Sequence, residues 1–294
     1  MFAITGSTGL TGQHLVKQLK KLSMPFIEVN RDVWDLTEWK SIEDFNIMLK
    51  GVSCIFHVGA FVPMGTSRVD SDDHLNDLFD ANVRSCLAIA SWANQKGIPI
   101  VFLSGSTVYK HPDSDKINED SEKVQCGLGG FYGYSKLLAE NVFEHFRAKG
   151  LKVAILRASS IYGTSPSKDK LIDGFLRQLT ESNAIRLDKP IDNSVNLIHA
   201  GDVANAAIKA LESKAWGTYN IAGPRSYTMH EIARTCVEVK GGGGNITAIG
   251  ASTSPPFKRF NLDCTKAQRE FNFCPTISLL DGIHAMSNNK VLTT

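Results

Sequence analysis

No stretch of this 294-residue chain is apolar over anything near the ~20 residues that a bilayer crossing needs. Excess charge of one sign is missing too. Thirty-two Lys and Arg stand against thirty Asp and Glu, a formal net charge of +2. No long basic run or cationic amphipathic stretch marks a nucleic-acid or membrane surface. The six cysteines (Cys54, Cys86, Cys126, Cys236, Cys264 and Cys274) are scattered with no CxxC pair. That pattern argues against a disulfide frame or a zinc site and suits a reducing compartment. Met1 runs straight into the apolar segment Phe2-Ala3-Ile4-Thr5, with no room for a charged leader, so the expected location is cytoplasmic. There is no internal repeat.

What is present is an alternation of short apolar runs and amphipathic stretches. Strands are expected at Phe2–Thr5, Phe26–Asn30, Ser53–Val58, Ile98–Leu103 and Lys152–Leu156. Helices are expected at Gln13–Leu22, Leu75–Gln95 and Ser135–Ala148. Apolar runs of that length between helices imply buried parallel strands, with right-handed crossovers laying helices on both faces. The fold class is therefore α/β, a Rossmann-type doubly wound parallel sheet occupying residues 1–160. Residues 161–286 read as a smaller C-terminal substrate lobe interleaved with the last strands of the sheet. In it, helices are expected at Leu171–Thr180, at Asp202–Leu211 and from Thr228, where Thr228 and Glu231 have capping-box spacing. Residues 287–294 read as a flexible tail.

Directly after the first strand comes Gly6-Ser7-Thr8-Gly9-Leu10-Thr11-Gly12, a GxxGxxG leading into a helix. Gly6 and Gly9 leave space for a close backbone approach to a pyrophosphate, and Gly12 lets the helix pack on the strand. The helix N-terminus aims free N–H groups at the phosphates, so Thr8 and Leu10 join the cofactor site. At the end of the second strand, NAD enzymes place an acid on the adenosine ribose, whereas a 2′-phosphate wants an Arg. Asn30 occupies the acid's place and Arg31 follows. This favours NADP(H) over NAD, with Asp32 and Asp35 as counterweights.

TGxxGxxG at the extreme N-terminus resembles the extended branch of the short-chain dehydrogenase/reductase superfamily, also called the NAD-dependent epimerase/dehydratase family. Further residues fit the same pattern in the same order. Asp35-Leu36 resembles the pair that frames the adenine. His57-Val58-Gly59-Ala60 resembles the HxAA segment beside the cofactor, and Asn82 matches a structural Asn. Tyr132-Gly-Tyr-Ser-Lys136 is the one YxxxK in the chain, and Arg157-Ala-Ser159-Ser160-Ile-Tyr-Gly163 resembles Arg-Pro-x-x-x-Tyr-Gly, bringing Ser159 to the cofactor and Ser160 to the substrate. On a helix, positions i and i+4 share a face, so the Lys136 charge is expected to lower the Tyr132 pKa. The resemblance further implies that Lys136 holds the nicotinamide ribose while Tyr132 exchanges a proton with the substrate oxygen. It also implies a homodimer.

One position departs from the pattern. Counting back from Val108-Tyr109, the Ser or Thr that the family sets beside the Tyr falls on Gly105. Ser106 is the expected substitute, with Ser104 as the other serine in reach. For a small-molecule substrate carrying a diphosphate, Arg186 and Arg259 are the expected ligands, with Arg177 a further candidate. The function implied is interconversion of a secondary alcohol and a ketone, on a nucleotide-linked sugar, by epimerisation or reduction. Ser104–Tyr109 holds no carboxylate, which counts against a dehydratase. Two alternatives remain open: a reductase of small non-nucleotide ketones or alcohols, and a non-catalytic NADP-sensing regulator on the same scaffold.

Overall fold

The computed structural model describes residues 1–63, 74–124, 130–252 and 255–294. Cys126 lies outside these residues. In chain order the strands are β1 (Phe2–Thr5), β2 (Phe26–Val29), β3 (Cys54–His57), β4 (Ile100–Gly105), β5 (Val153–Ala158), β6 (Ser160–Tyr162), β7 (Ala184–Asp188), β8 (Ser194–His199), β9 (Thr218–Ile221), β10 (Ser226–Thr228), β11 (Asn245–Ile249) and β12 (Lys258–Arg259). The helices are α1 (Leu10–Lys21), α2 (Ile42–Met48), α3 (Leu75–Phe79), α4 (Ser85–Lys96), α5 (Gly130–Arg147), α6 (Leu171–Ser182), α7 (Ala200–Glu212), α8 (Met229–Val239), α9 (Thr265–Phe271) and α10 (Leu279–Ser287).

The central sheet runs β2-β1-β3-β4-β5-β9, every pair parallel. Its inner strands are apolar at nearly every position: Cys-Ile-Phe-His in β3 and Val-Ala-Ile-Leu-Arg-Ala in β5 are buried throughout. Strands with both faces buried need helices on both sides, and the core divides accordingly. Ile4, Phe56 and Leu156 pack with Leu15 and Leu19 of α1 and Ala204 and Ala207 of α7. Ala3, Ile55 and Phe102 pack on the other face with Ile89 of α4 and Phe143 of α5. From β1 the chain goes first to β2, then crosses back to β3. That reversal is a topological switch point, and it opens a crevice at the C-terminal ends of β1 and β3.

After β5 the chain builds a second, four-stranded sheet of β6, β8, β10 and β12, beside a ribbon of β7 and β11. A third core fills this half, with Ile172 and Phe175 of α6, Leu197 of β8, Ile232 of α8 and Ile283 of α10. Thr228 and Glu231 form the expected capping box at α8. A second box, Ser41 with Asp44, starts α2 where no helix was expected. The single helix expected over Leu75–Gln95 contains a π-helical turn at Asp80–Arg84. The segment expected to be a flexible tail carries polar contacts. Lys17 and Lys21 of α1 donate to the Val291 and Thr294 carbonyls, and Thr164 Oγ1 donates to the Lys290 carbonyl at 2.5 Å. These contacts link Val291 and Thr294 to α1 and Lys290 to the loop after β6.

Candidate active site

The crevice at the switch point is a cavity of about 470 Å³. Its floor is main chain brought unusually close together. Gly6 adopts φ +65°, open to glycine, and a Cβ there would sit 2.4 Å from the Gly59 Cα after β3. A Cβ on Gly12 would lie 2.1 Å from the Gly6 carbonyl oxygen, so α1 can start this close to the turn only with glycine at that position. Gly12 is thus buried beneath the turn and does not line the cavity, while Gly6, Thr8, Gly9 and Leu10 do. Gly9 caps α1 without a side-chain hydrogen bond, and the first turn carries no acid. The free N–H groups and positive end of the helix dipole therefore face the cavity, as a pyrophosphate requires.

His57 is placed otherwise than expected. It is fully buried below the cavity, its Nδ1 2.8 Å from Thr5 Oγ1 and its Nε2 3.4 Å from Cys86 Sγ. Burial pushes its pKa down to about 3, so the ring stays neutral. Thr5 Oγ1 in turn accepts from the Gly59 N–H. The imidazole acts as a prop under the Gly6–Gly59 contact, whereas Val58 and Ala60 line the cavity itself.

Asn82 is likewise a brace. The π-helical turn, a form that often marks functional sites, aims its amide at two segments at once. The Asn82 Oδ1 accepts from the Phe61 N–H, and its Nδ2 donates to the Phe61 carbonyl and to Ser135 Oγ. The loop after β3 is thereby tied to α5, the helix that carries Tyr132 and Lys136.

At the end of the cavity beside β2, Asn30, Arg31, Asp35 and Leu36 line it. The Asn30 side chain accepts from the Val33 N–H, and the Asp35 carboxylate accepts from the Thr37 N–H and hydroxyl. The Thr37 backbone bond holds Asp35 below the usual carboxylate range. Arg31 is 79% exposed, with Nε 3.7 Å from Asp35.

At the opposite end stand Tyr132, Lys136, Ser104, Gly105, Ser106, Thr107, Ser159 and Ser160. Lys136 Nζ lies 4.3 Å over the Phe102 ring. Desolvation brings Lys136 down to about 8, opposed by the neighbouring Cys86 and Glu140. The Tyr132 phenol is pushed up to about 12 by desolvation, opposite to the lowering expected from Lys136. The Lys136 ammonium faces Phe102, and its charge gives the phenol no resolved relief. Ser104 donates to Glu140 Oε1 at 2.5 Å. That hydroxyl belongs to a buried network in which Arg157 grips both Glu140 oxygens and donates to Tyr109 Oη. The Ser159 hydroxyl and Thr107 Oγ1 are buried without a hydrogen-bond partner among the described residues.

A second cavity of about 490 Å³ meets the first at Ser160, Ile161, Lys170 and Phe260. Its walls are apolar, with Leu171, Val195, Leu197 and Met229, and Arg259 lies in it with the guanidinium 4.1 Å over the Phe257 ring. Phe260 holds φ +61°, a conformation that costs a bulky residue about 1–3 kcal/mol and clusters at ligand clamps. Nothing in the sequence signals it. Arg186, expected at this site, is exposed on β7 and lines neither cavity. The alternation of β7 buries Ile185 and Leu187 and turns Arg186 outward. Arg177 is also outside both cavities.

Relatives agree with this architecture. UDP-glucuronic acid decarboxylase 3 of Arabidopsis thaliana is 23% identical over 306 residues, covering 97% of this chain and 87% of that protein. dTDP-4-dehydro-6-deoxy-D-allose reductase of Streptomyces bikiniensis is 21% identical, covering 81% and 80%. Among solved structures, UDP-N-acetylglucosamine 4-epimerase from Bacillus cereus superposes with a TM-score of 0.83 at 23% identity, over 98% of this chain and 95% of that one. UDP-glucuronic acid 4-epimerase from Bacillus cereus, in complex with UDP-glucuronic acid and NAD, gives 0.80 at 18% identity, over 98% of both chains. At such identities the likeness is one of fold. The family model described as the NAD dependent epimerase/dehydratase family matches residues 2–222, and the chain belongs to that family.

Proposed function

We propose that this protein interconverts a secondary alcohol and a ketone on a nucleotide-linked sugar, by epimerisation or by keto-sugar reduction, with a nicotinamide dinucleotide in the glycine-floored cavity. One observation carries the reading. Tyr132 and Lys136 share a cavity with the glycine turn, and that cavity opens into a second one bearing Arg259 stacked on Phe257. An apolar chamber with a cation suits a base and a diphosphate. A small ketone would need no second chamber.

The chemistry follows from placement. Tyr132 exchanges a proton with the sugar oxygen. A nicotinamide dinucleotide held there would supply hydride transfer to or from the sugar carbon. Lys136 holds the ribose and, once the dinucleotide fills the cavity, its charge offsets the phenolate. The Ser159 hydroxyl, buried without a protein partner among the described residues, faces the same space and fits a ligand contact. Asp35 is the one carboxylate among the described cavity residues, and it is held by Thr37 at the adenosine end. An acid beside Tyr132, as elimination would require, is absent from that set, which favours redox chemistry without dehydration. At the ribose, Asn30 and Arg31 fit a 2′-phosphate, so NADP(H) is accepted at least as well as NAD(H).

The test offers UDP-glucose, UDP-N-acetylglucosamine and UDP-glucuronic acid with each dinucleotide and follows product and absorbance. Tyr132→Phe should lower kcat on the sugar that reacts by about 10³-fold, within the range for a lost acid–base group, and leave dinucleotide affinity intact. An undiminished Tyr132→Phe enzyme would overturn the assignment. Tighter NADH than NADPH binding would overturn the cofactor preference.

A further inference from the structure

The turn after β4 lacks a hydroxyl at Gly105, where the family pattern implies one, and the surroundings of that glycine show what stands in. We propose that Thr107 supplies the missing hydroxyl, hydrogen-bonding the sugar oxygen at which Tyr132 exchanges its proton. The inference rests on the function proposed above.

Three observations converge. A Cβ built on Gly105 would meet Thr107 Oγ1 at 3.6 Å, nearer than any other atom outside its chain neighbours. The Thr107 hydroxyl therefore borders the space that a residue-105 side chain would fill. Second, that hydroxyl is buried without a hydrogen-bond partner among the described residues, although Thr107 lines the same cavity as Tyr132. A buried hydroxyl left unsatisfied is costly enough to call for a ligand-side partner. Third, neither neighbouring serine offers a hydroxyl that is both uncommitted and buried without a partner. Ser104 Oγ is committed to Glu140. Ser106, the substitute expected from sequence, lines the cavity as well, but unlike Thr107 its hydroxyl is not among the buried atoms left without a partner. The two-residue step from 105 to 107 across the short 3₁₀ turn at Ser106–Val108 brings the Thr107 hydroxyl beside Gly105.

The geometry also supplies a rescue. Gly105 has an ordinary extended backbone, and its Cβ contacts of 3.6 and 4.0 Å are normal van der Waals separations. A serine fits there.

The experiment compares wild type, Thr107→Ala, Thr107→Ser, Ser106→Ala and the double variant Thr107→Ala with Gly105→Ser, on the nucleotide sugar that the wild type turns over. Thr107→Ala should lower kcat by about 100-fold, as for a lost oxyanion-type donor, with dinucleotide affinity unchanged. Thr107→Ser should stay within a few-fold of wild type. Adding Gly105→Ser should recover most of the loss, which a merely structural role for Thr107 would not allow. Full turnover in Thr107→Ala, or a comparable loss in Ser106→Ala with no rescue at position 105, overturns the proposal while the function stands. A wild-type protein inert toward every nucleotide sugar overturns both.

Discussion

The two cavities share a doorway at Ser160, Ile161, Lys170 and Phe260, yet they are built on opposite plans. The first is floored by main chain at the ends of adjacent parallel strands: Gly6 after β1 and Gly59 after β3 nearly touch, and α1 starts on top of them. The second is walled by side chains from β6, α6, β8, α8 and β12, elements scattered over a hundred residues of chain. A backbone site tolerates few substitutions: a Cβ on Gly6 or Gly12 would run into main chain, and Gly9 and Gly59 leave only tight room for one. A side-chain site can be re-lined without disturbing the fold. A conserved chemistry with an exchangeable substrate is what that division permits.

The firmest way to break the first region is through the buried network behind it. Arg157 on β5 and Glu140 on α5 pair at 2.7 Å with side chains only 7% and 3% exposed. Arg157→Leu leaves the Glu140 carboxylate buried without its counter-ion, and loss of one partner of such a pair costs about 3–5 kcal/mol. Urea denaturation should show a fall of that size, and turnover should go with it, since α5 carries Tyr132 and Lys136. Pairing it with Glu140→Leu should restore part of the stability, because no stranded charge remains. A single variant as stable as wild type would mean that the sheet and α5 are registered by packing alone.

A smaller effect has the opposite sign. Lys136 sits in a desolvated site that lowers its pKa from 10.5 to about 8. Below pH 8 the lysine is charged in both folded and unfolded protein, and burial penalises the folded state in full. Between pH 8 and 10.5 the unfolded chain still binds a proton that the folded one has released, so the penalty fades as pH rises. Lys136→Met should therefore stabilise the dinucleotide-free protein at pH 7 by up to about 3 kcal/mol, an advantage that shrinks toward pH 10.5, while abolishing turnover. Equal denaturation midpoints at pH 7 would show that the ammonium is better solvated than its surroundings imply.

The difference between the regions also explains what was legible in sequence. β1 has the bounds that its apolar run predicts, and the glycine turn after it was readable because local spacing and backbone geometry coincide. The start of α1 at Leu10 rather than Gln13 shows the limit: Thr11 and Gly12 of the first turn are buried, but neither carries an apolar side chain that periodicity could register. Ser41-x-x-Asp44 was a capping signal in plain view. The Glu140–Arg157 pair and the strained Phe260 carry no periodic or compositional mark, because each is fixed by a partner distant in sequence. His57 was expected beside the cofactor and lies buried below the cavity, since a motif match does not say which face a side chain takes. Arg186 was named for its nearness in the chain, and strand alternation decided against it.

Arg186 and Arg259 supply the finest discrimination between the regions. Arg259 is about half-buried in the second cavity, and desolvation already lowers its pKa. It will gain most from an anion that re-satisfies it. Titrating UDP into the protein should give an affinity that falls about tenfold in Arg259→Ala, some 1.4 kcal/mol, with the dinucleotide affinity unmoved. Arg186→Ala, on the outer face of β7, should leave both affinities within experimental error. Should Arg186→Ala weaken UDP while Arg259→Ala does not, the nucleotide lies along the β7–β11 ribbon and the second cavity holds something else. A loss of dinucleotide affinity in Arg259→Ala would instead mean that the doorway at Phe260 couples the two chambers, so that their separate construction does not make them separate sites.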